Sequence, residues 1–304
     1  MTSLEDFLRP SQKQLFKRLC KKFKGKTLIS KGNFILVHGQ APVMLVAHMD
    51  TVHEQPVRDI CLSDDGNILM FPQGIGGDDR CGVFALVKIF QYAQIKPWLL
   101  FFCDEEVGGL GAKKFCLAHK QRQLPNDIDN LKFIIELDRK GSNDAVYYRC
   151  DNPDFEAYIS GKGFQSAQGS FSDISLIAPE LNIAAVNLSC GYYYAHTLHE
   201  YIHRSELNAV IHKVVDIVAD SSRHDLPRFD YREGVVPIAP GFRRYDNLPT
   251  LHASPHNLPD KLIDIYEALL DFYSFHELES FRAEFGDHIL WQIYNDEIAP
   301  LYNR

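Results

Sequence analysis

Three short stretches constrain the possible folds of this chain more than any other feature. Val43-Met44-Leu45-Val46-Ala47 and Trp98-Leu99-Leu100-Phe101-Phe102-Cys103 are apolar at every position, and Phe133-Ile134-Ile135-Glu136-Leu137 at all but one. Runs of this length and type read as strands buried on both faces, the signature of the inner strands of a parallel sheet. Helical spacing separates them. Val83, Leu86, Val87 and Phe90 form one apolar stripe, residues 110–120 read as a helix, and Leu207, Val210, Ile211, Val214, Val215 and Val218 line one face of 206–221. Strands alternating with helices imply an α/β domain with a mostly parallel central sheet.

The remaining pattern fills in this frame. Residues 3–24 read as a helix interrupted at Pro10. Strands are expected at Thr27–Ser30 and Phe34–His38, and a hairpin pairs 59–63 with 67–71 around Asp64-Asp65-Gly66. Further on, the pattern gives a strand over 145–150, a helix over 171–177 and a strand over 184–188. Beyond Arg223 the composition changes. Pro227, Pro237, Pro240, Pro249 and Pro255 mark an extended linker, and Leu262, Ile265, Tyr266, Leu269 and Tyr273 then give a helix. Two more helices are expected, one from about His276 and one near 290–298. The expected division is a catalytic domain over 1–224 and a linker with helical extension over 225–304.

Bulk properties exclude several function classes. The net charge is −8 with no Lys/Arg block, so nucleic acid and anionic membranes are not expected partners. No apolar run approaches a membrane span, and the acidic start Met1-Thr2-Ser3-Leu4-Glu5-Asp6 lacks a signal-peptide pattern. Seven scattered cysteines without a close pair fit free thiols and a cytoplasmic location.

The strands deliver chemistry at their carboxyl ends, where open α/β sheets bind ligands. The first ends in His48-Met49-Asp50, an imidazole with a carboxylate placed to orient it. The second ends in Asp104-Glu105-Glu106-Val107-Gly108-Gly109, three adjacent acids that repel one another unless solvated or neutralised by cations. One Glu can bind a metal there while the other works on a water. The third ends at Asp138. Between them, Gly74-Ile75-Gly76-Gly77-Asp78-Asp79-Arg80-Cys81-Gly82 sets Asp78 in a glycine-rich turn, as a helix N-cap or as a carboxylate shared by two cations. A second neutral nitrogen comes from Ala195-His196-Thr197-Leu198-His199-Glu200, where two histidines three apart could both be ligands on a helix. His196, followed by Thr197 and with Glu200 four positions on, is favoured.

Taken in order, His48-Met49-Asp50-Thr51-Val52, Gly77-Asp78-Asp79-Arg80-Cys81-Gly82, Asp104-Glu105-Glu106-Val107-Gly108, Leu137-Asp138 and Ala195-His196-Thr197-x-x-Glu200-Tyr201 resemble the co-catalytic zinc exopeptidases. That group includes peptidase T, glutamate carboxypeptidase, aminoacylase and the glutamyl aminopeptidases. The resemblance covers about residues 30–222. It implies a three-layer sandwich with a mixed, mostly parallel sheet between helices. It also implies two zinc ions, with cobalt or manganese as substitutes: His48 and Asp138 on one, Glu106 and His196 on the other, and Asp78 between them. Asp50 would orient His48, and Glu105 would be the general base acting on a water between the metals. A cis peptide after Asp78 is implied as well.

The chain departs from those relatives in layout. Only 58 positions separate Asp138 from His196, and 30 separate His48 from Asp78, so neither of the usual inserted domains fits. A transition-state group taken from such a lid must come from elsewhere, with Tyr192, Tyr193, Tyr194 and Arg139 as candidates. The expected function is a zinc-dependent aminopeptidase of short peptides. The alternatives are an amidohydrolase of N-acyl amino acids and a catalytically silent binding or assembly module. The apolar stripe of Leu262, Tyr266, Leu269 and Tyr273 either packs on the catalytic domain's own surface or, as the alternative, overhangs the cleft or forms a homo-oligomer contact through the C-terminal helices.

Overall fold

Successive residues of the inner strands go to opposite faces of one sheet, and each face is covered by helices. The computed structural model describes residues 3–30, 32–169, 171–234, 269, 278, 282 and 288–293. Two compact units divide the chain, Met1–Val236 and Pro237–Arg304.

In the first unit, helices α1 (Glu5–Leu8) and α2 (Gln12–Lys22) lead into strands β1 (Thr27–Ser30), β2 (Phe34–Val37) and β3 (Val43–His48). The hairpin β4 (Cys61–Leu62) and β5 (Ile68–Met70) precedes helix α3 (Gly77–Tyr92), then β6 (Trp98–Phe102), α4 (Leu110–Lys120) and β7 (Phe133–Arg139). After these come β8 (Asp144–Val146), α5 (Pro153–Ser160), β9 (Gln165–Ser166), α6 (Ile174–Leu181) and β10 (Ala185–Ser189). Strands β11 (Tyr192–Tyr193) and β12 (Tyr201–His203) and helix α7 (Arg204–Ser221) complete the set.

The main sheet has the order β1-β2-β6-β3-β7-β10-β8-β9. Its centre, β6-β3-β7-β10, is parallel, while β1, β2 and β8 pair antiparallel toward the edges. The pleat divides the core cleanly. Val43, Leu45, Ala47, Leu99, Phe101, Phe133 and Ile135 face α3 and α7, whereas Met44, Val46, Leu100, Phe102 and Ile134 face Phe115 of α4 and Ile177 of α6. These side chains are fully buried, each stabilising by roughly 1.5–3 kcal/mol. The mostly parallel central sheet expected from the apolar runs, and the sandwich between helices that the resemblance implies, are therefore the observed arrangement. A second, antiparallel sheet, β11-β12-β5-β4, stands apart from it in pairing.

Local differences have local causes. The histidines at 196 and 199 lie in the turn between β11 and β12, not on a helix, and His196 itself adopts a left-handed φ of 62°. The strand expected over 145–150 stops at Val146, because Tyr148 turns the backbone to φ 53°. Helix α6 begins at Ile174 rather than 171 and runs past Pro179 to Leu181. Helix α5 was not anticipated, although Asn152 caps it, accepting from the Phe155 N–H at 3.1 Å, and Pro153 opens its first turn.

Residues 225–234, the described part of the expected linker, are bound to the first unit. The Phe229 N–H donates to the Lys132 carbonyl and the Ala184 N–H to the Phe229 carbonyl, each at 2.8 Å. In the second unit His288–Ile293 is helical, as are Leu269, Leu278 and Arg282. The rest of the helices expected between 260 and 298 lies outside the described residues. Among the described residues no helix is long and apolar enough to cross a membrane.

Candidate metal centre

Five backbone segments bring the acids and histidines together at the carboxyl end of the parallel strands. His48 is the last residue of β3, Glu105 and Glu106 follow β6, and Asp138 lies near the end of β7. Asp78 sits in the irregular first turn of α3, joined to Asp79 by a cis peptide as the resemblance implied. His196 arrives from the β11–β12 turn. His48, Asp50, Asp78, Glu105, Glu106, Asp138 and His196 come together here. His199 does not; it is exposed and lies outside every cluster of potential ligands among the described residues.

Asp78 is the hub. Its Oδ1 lies 3.2 Å from His48 Nε2, and its Oδ2 lies 3.2 Å from His196 Nε2. On one side His48 Nε2 is also 3.5 Å from Asp138 Oδ1; on the other His196 Nε2 is 3.2 Å from Glu106 Oε2. Glu105 reaches within 3.9 Å of His48 Nε2. Potential ligand atoms within 4.8 Å of one another therefore form the sets His48–Asp78–Asp138, His48–Glu105–Glu106 and Asp78–Glu106–His196.

A supporting layer holds these groups in place. Asp50 Oδ1 lies 3.3 Å from His48 Nδ1, consistent with orienting the ring. Asp50 also accepts the N–H groups of Glu105 and Glu106 at 3.1 and 3.0 Å, so one carboxylate fixes both the first strand end and the acidic turn. That turn closes through Gly108 and Gly109, at φ 92° and 65°, and is tied to α2 by Gln12, whose amide donates to Asp104 and accepts from its N–H. Asp79 accepts from the N–H of His48 and of Gly82. Glu200 is fully buried and clamps the bridge turn, accepting from the N–H of Gly76 at 2.8 Å and of Asp78 at 2.9 Å while its other contact is His53. Asn187 accepts the Asp138 N–H, and the Tyr192 hydroxyl donates to Asp138 Oδ1 at 3.1 Å. The supporting roles of Glu200, Asn187, Asp79 and Gln12 are not readable from sequence. Glu200 and Asp79 leave a trace as neighbours of His196 and Asp78; Asn187 and Gln12 act through contacts that close only in three dimensions.

The electrostatics call for cations. Burial pushes the Glu105 carboxyl up to about 8, with His48 opposing and the charges of Asp138, Glu106 and Asp78 adding. Burial likewise pushes Asp138 up to about 7, with Asp78 adding. Asp78 goes the other way: burial would raise it, but hydrogen bonds from His196 and His48 hold it well below the carboxylate range. Hydrogen bonds to Asp78 and Glu106 raise His196 to about 11 against the effect of burial. Glu106 Oε1 is buried with no hydrogen-bond partner. Carboxylate oxygens and imidazole nitrogens at this density, one of them orphaned, fit divalent metal ions such as zinc.

A cavity of about 260 Å³ opens onto the site, lined by Glu105, Asp138, Arg139, Lys140, Phe171 and His196 among others. A larger one, about 480 Å³, touches only Asp50 of the predicted site residues and runs along Gln12, His53 and Arg80. The smaller cavity is thus the one open to the ligand cluster.

Residues 34–176 match the family model described as Peptidase family M28. No curated protein matches in direct sequence comparison. Solved structures share the fold. An aminopeptidase PepT from Bacillus cereus ATCC 10987 aligns at TM-score 0.56 and 14% identity, covering 72% of this chain and 97% of that one. A tripeptidase from Staphylococcus aureus subsp. aureus mu50 aligns at 0.54 and 14%, covering 73% and 97%. A TET aminopeptidase from Thaumarchaeota archaeon SCGC AB-539-E09 aligns at 0.53 and 12%, covering 74% and 96%.

Proposed function

We propose, from the match of residues 34–176 to the Peptidase family M28 model, that this chain is a metallopeptidase of the co-catalytic zinc exopeptidase superfamily, and specifically an aminopeptidase of short peptides that works with two zinc ions. The observation carrying the proposal is the position of Asp78, whose two oxygens face two different histidine–carboxylate sets. His48 and Asp138 would hold one ion, Glu106 and His196 the other, and Asp78 both. Bound there, the ions supply Lewis-acid chemistry, acidifying a water and polarising a carbonyl.

The chain's own residues do the rest. Glu105, whose carboxyl is held up by burial and lines the cavity without belonging to either proposed ligand set, takes the proton of the attacking water and passes it to the leaving amine. Asp50 keeps the His48 ring turned toward the cluster. Of the tyrosines at 192–194, Tyr193 is engaged with Glu206 and Tyr194 is exposed, whereas the Tyr192 hydroxyl points to Asp138. Tyr192 is therefore the proposed replacement for the lid-borne transition-state group. The aminopeptidase and tripeptidase names of the fold's relatives direct the choice of first substrates.

The test is hydrolysis of free, N-acetylated and C-amidated dipeptides by zinc-loaded protein. Cleavage that requires a free amino terminus supports an aminopeptidase. Cleavage confined to N-acyl substrates would replace it with a deacylase, and no cleavage of either with full metal occupancy would favour a binding module.

A further inference from the structure

The cavity at the site is not uniformly acidic. Besides Asp78, Glu105 and Asp138, its lining carries two adjacent cations, Arg139 and Lys140. Arg139 engages Asp144 through Nε at 3.4 Å, and its terminal nitrogens have no carboxylate partner among the described residues. Lys140 is exposed and forms no side-chain ion pair among the described residues. The backbone beneath them is fixed. Ser189 Oγ donates to the Lys140 carbonyl at 2.7 Å, the Cys190 N–H to the Arg139 carbonyl at 2.8 Å, and the Gly141 N–H to the Tyr192 carbonyl at 2.9 Å. The cations thus stand on a segment pinned by hydrogen bonds to residues 189–192, which carry Tyr192 to the ligand cluster.

From this we infer that Lys140, with Arg139 beside it, is a carboxylate-binding subsite, and that the substrates are very short peptides presenting a free carboxylate next to the cleaved bond. The inference rests on the metallopeptidase reading. Two ions would place the scissile carbonyl at the ligand cluster, and the rest of a substrate filling the same cavity then meets the lining that includes Arg139 and Lys140. A lysine ammonium and a partly free guanidinium are the groups that recognise a carboxylate. At about 260 Å³ the cavity lies at the small end of ligand sites, which favours two- or three-residue substrates. The carboxylate can be the C-terminus of a dipeptide or an acidic side chain at the second position; the chemistry is the same and the experiment separates them.

Zinc-loaded full-length protein and its Lys140→Met and Lys140→Arg variants are assayed on Ala-Ala, Ala-Ala-amide and Ala-Asp-amide. The expected result is a kcat/KM for Ala-Ala about 10- to 100-fold above that for its amide, chiefly through KM. Lys140→Met should abolish that preference and Lys140→Arg should keep most of it. Recovery with Ala-Asp-amide would identify a side-chain carboxylate as sufficient; no recovery would identify the C-terminus. Equal rates on Ala-Ala and its amide, or a preference that survives Lys140→Met, overturn the subsite while leaving the peptidase reading intact. If none of the three is cleaved, the peptidase reading fails. The subsite is then judged by calorimetric binding of Ala-Ala and its amide to the zinc-loaded Glu105→Gln protein, with and without Lys140→Met. The same loss of discrimination supports it, and its absence overturns it.

Discussion

Glu105 and Glu106 adjoin in sequence and face different partners, Glu105 toward His48 and Glu106 toward His196. Their substitutions should therefore separate. Glu105→Gln removes a base but no proposed ligand, so it should lower kcat by about 10²–10⁴-fold with both metals retained. Glu106→Gln should cost metal affinity instead, seen as about half the zinc after dialysis. A Glu105→Gln protein with near-normal turnover would show that another group is the base. The same cluster sets a pH dependence. In the metal-free chain Glu105 is pushed to about 8, Asp138 to about 7 and His196 to about 11. Each binds its proton more tightly folded than unfolded, so its contribution is complete below the unfolded pKa and is lost as pH rises through the folded value. Asp78, shifted down, acts only at acidic pH, outside this window. The melting temperature in chelator should fall from pH 6 to pH 8, and zinc should stabilise more at pH 8. A chelated protein whose melting temperature is flat or rising over that range would contradict the charge assignment.

At the scale of elements, strand ends position the ligands and buried side chains position the strand ends. Glu200 is the clearest case: two N–H groups of the bridge turn depend on it. Glu200→Ala would leave both without an acceptor, at about 1–3 kcal/mol each, and should weaken metal binding although Glu200 touches no proposed ion. Urea unfolding and zinc titration together would check this; unchanged values in both would show that the turn holds without it. The contrast with His48, Asp78 and Asp138 explains what sequence could convey. Those residues stand where an apolar run or a glycine-rich turn ends, so periodicity alone points at them. Glu200, Asn187 and Gln12 act across 122, 49 and 92 positions, and nothing in their own neighbourhoods marks the partner. Boundaries were lost for a related reason. Tyr148 ends β8 and His196 forms a turn through left-handed backbone, which side-chain pattern does not encode. Helix α5 carries a start signal in Asn152-Pro153, but its apolar stripe is too short for periodicity to mark it.

For the whole molecule, the chain beyond the last helix of the sandwich belongs partly to its core. Phe229 packs against Phe155, Tyr158 and Phe133 with ring centroids 5.1, 5.7 and 6.2 Å away. A chain ending at 224 should lose stability on the order of a Phe→Ala core substitution, about 3–5 kcal/mol, whereas one ending at Val236 keeps those contacts. If residues 237–304 make a subunit contact, light scattering should find fewer subunits per particle for the chain ending at Val236 than for the chain of 304 residues; an unchanged number of subunits would refute that contact. The central claim is that the ends of β3, β6 and β7, the α3 turn and the β11–β12 turn together build a two-ion site. Anomalous diffraction at the zinc edge from zinc-loaded crystals tests it most directly. Two peaks about 3.5–4 Å apart are predicted, one bonded to His48, Asp78 and Asp138 and the other to Asp78, Glu106 and His196. A single peak, or zinc bound away from Asp78, would contradict the account.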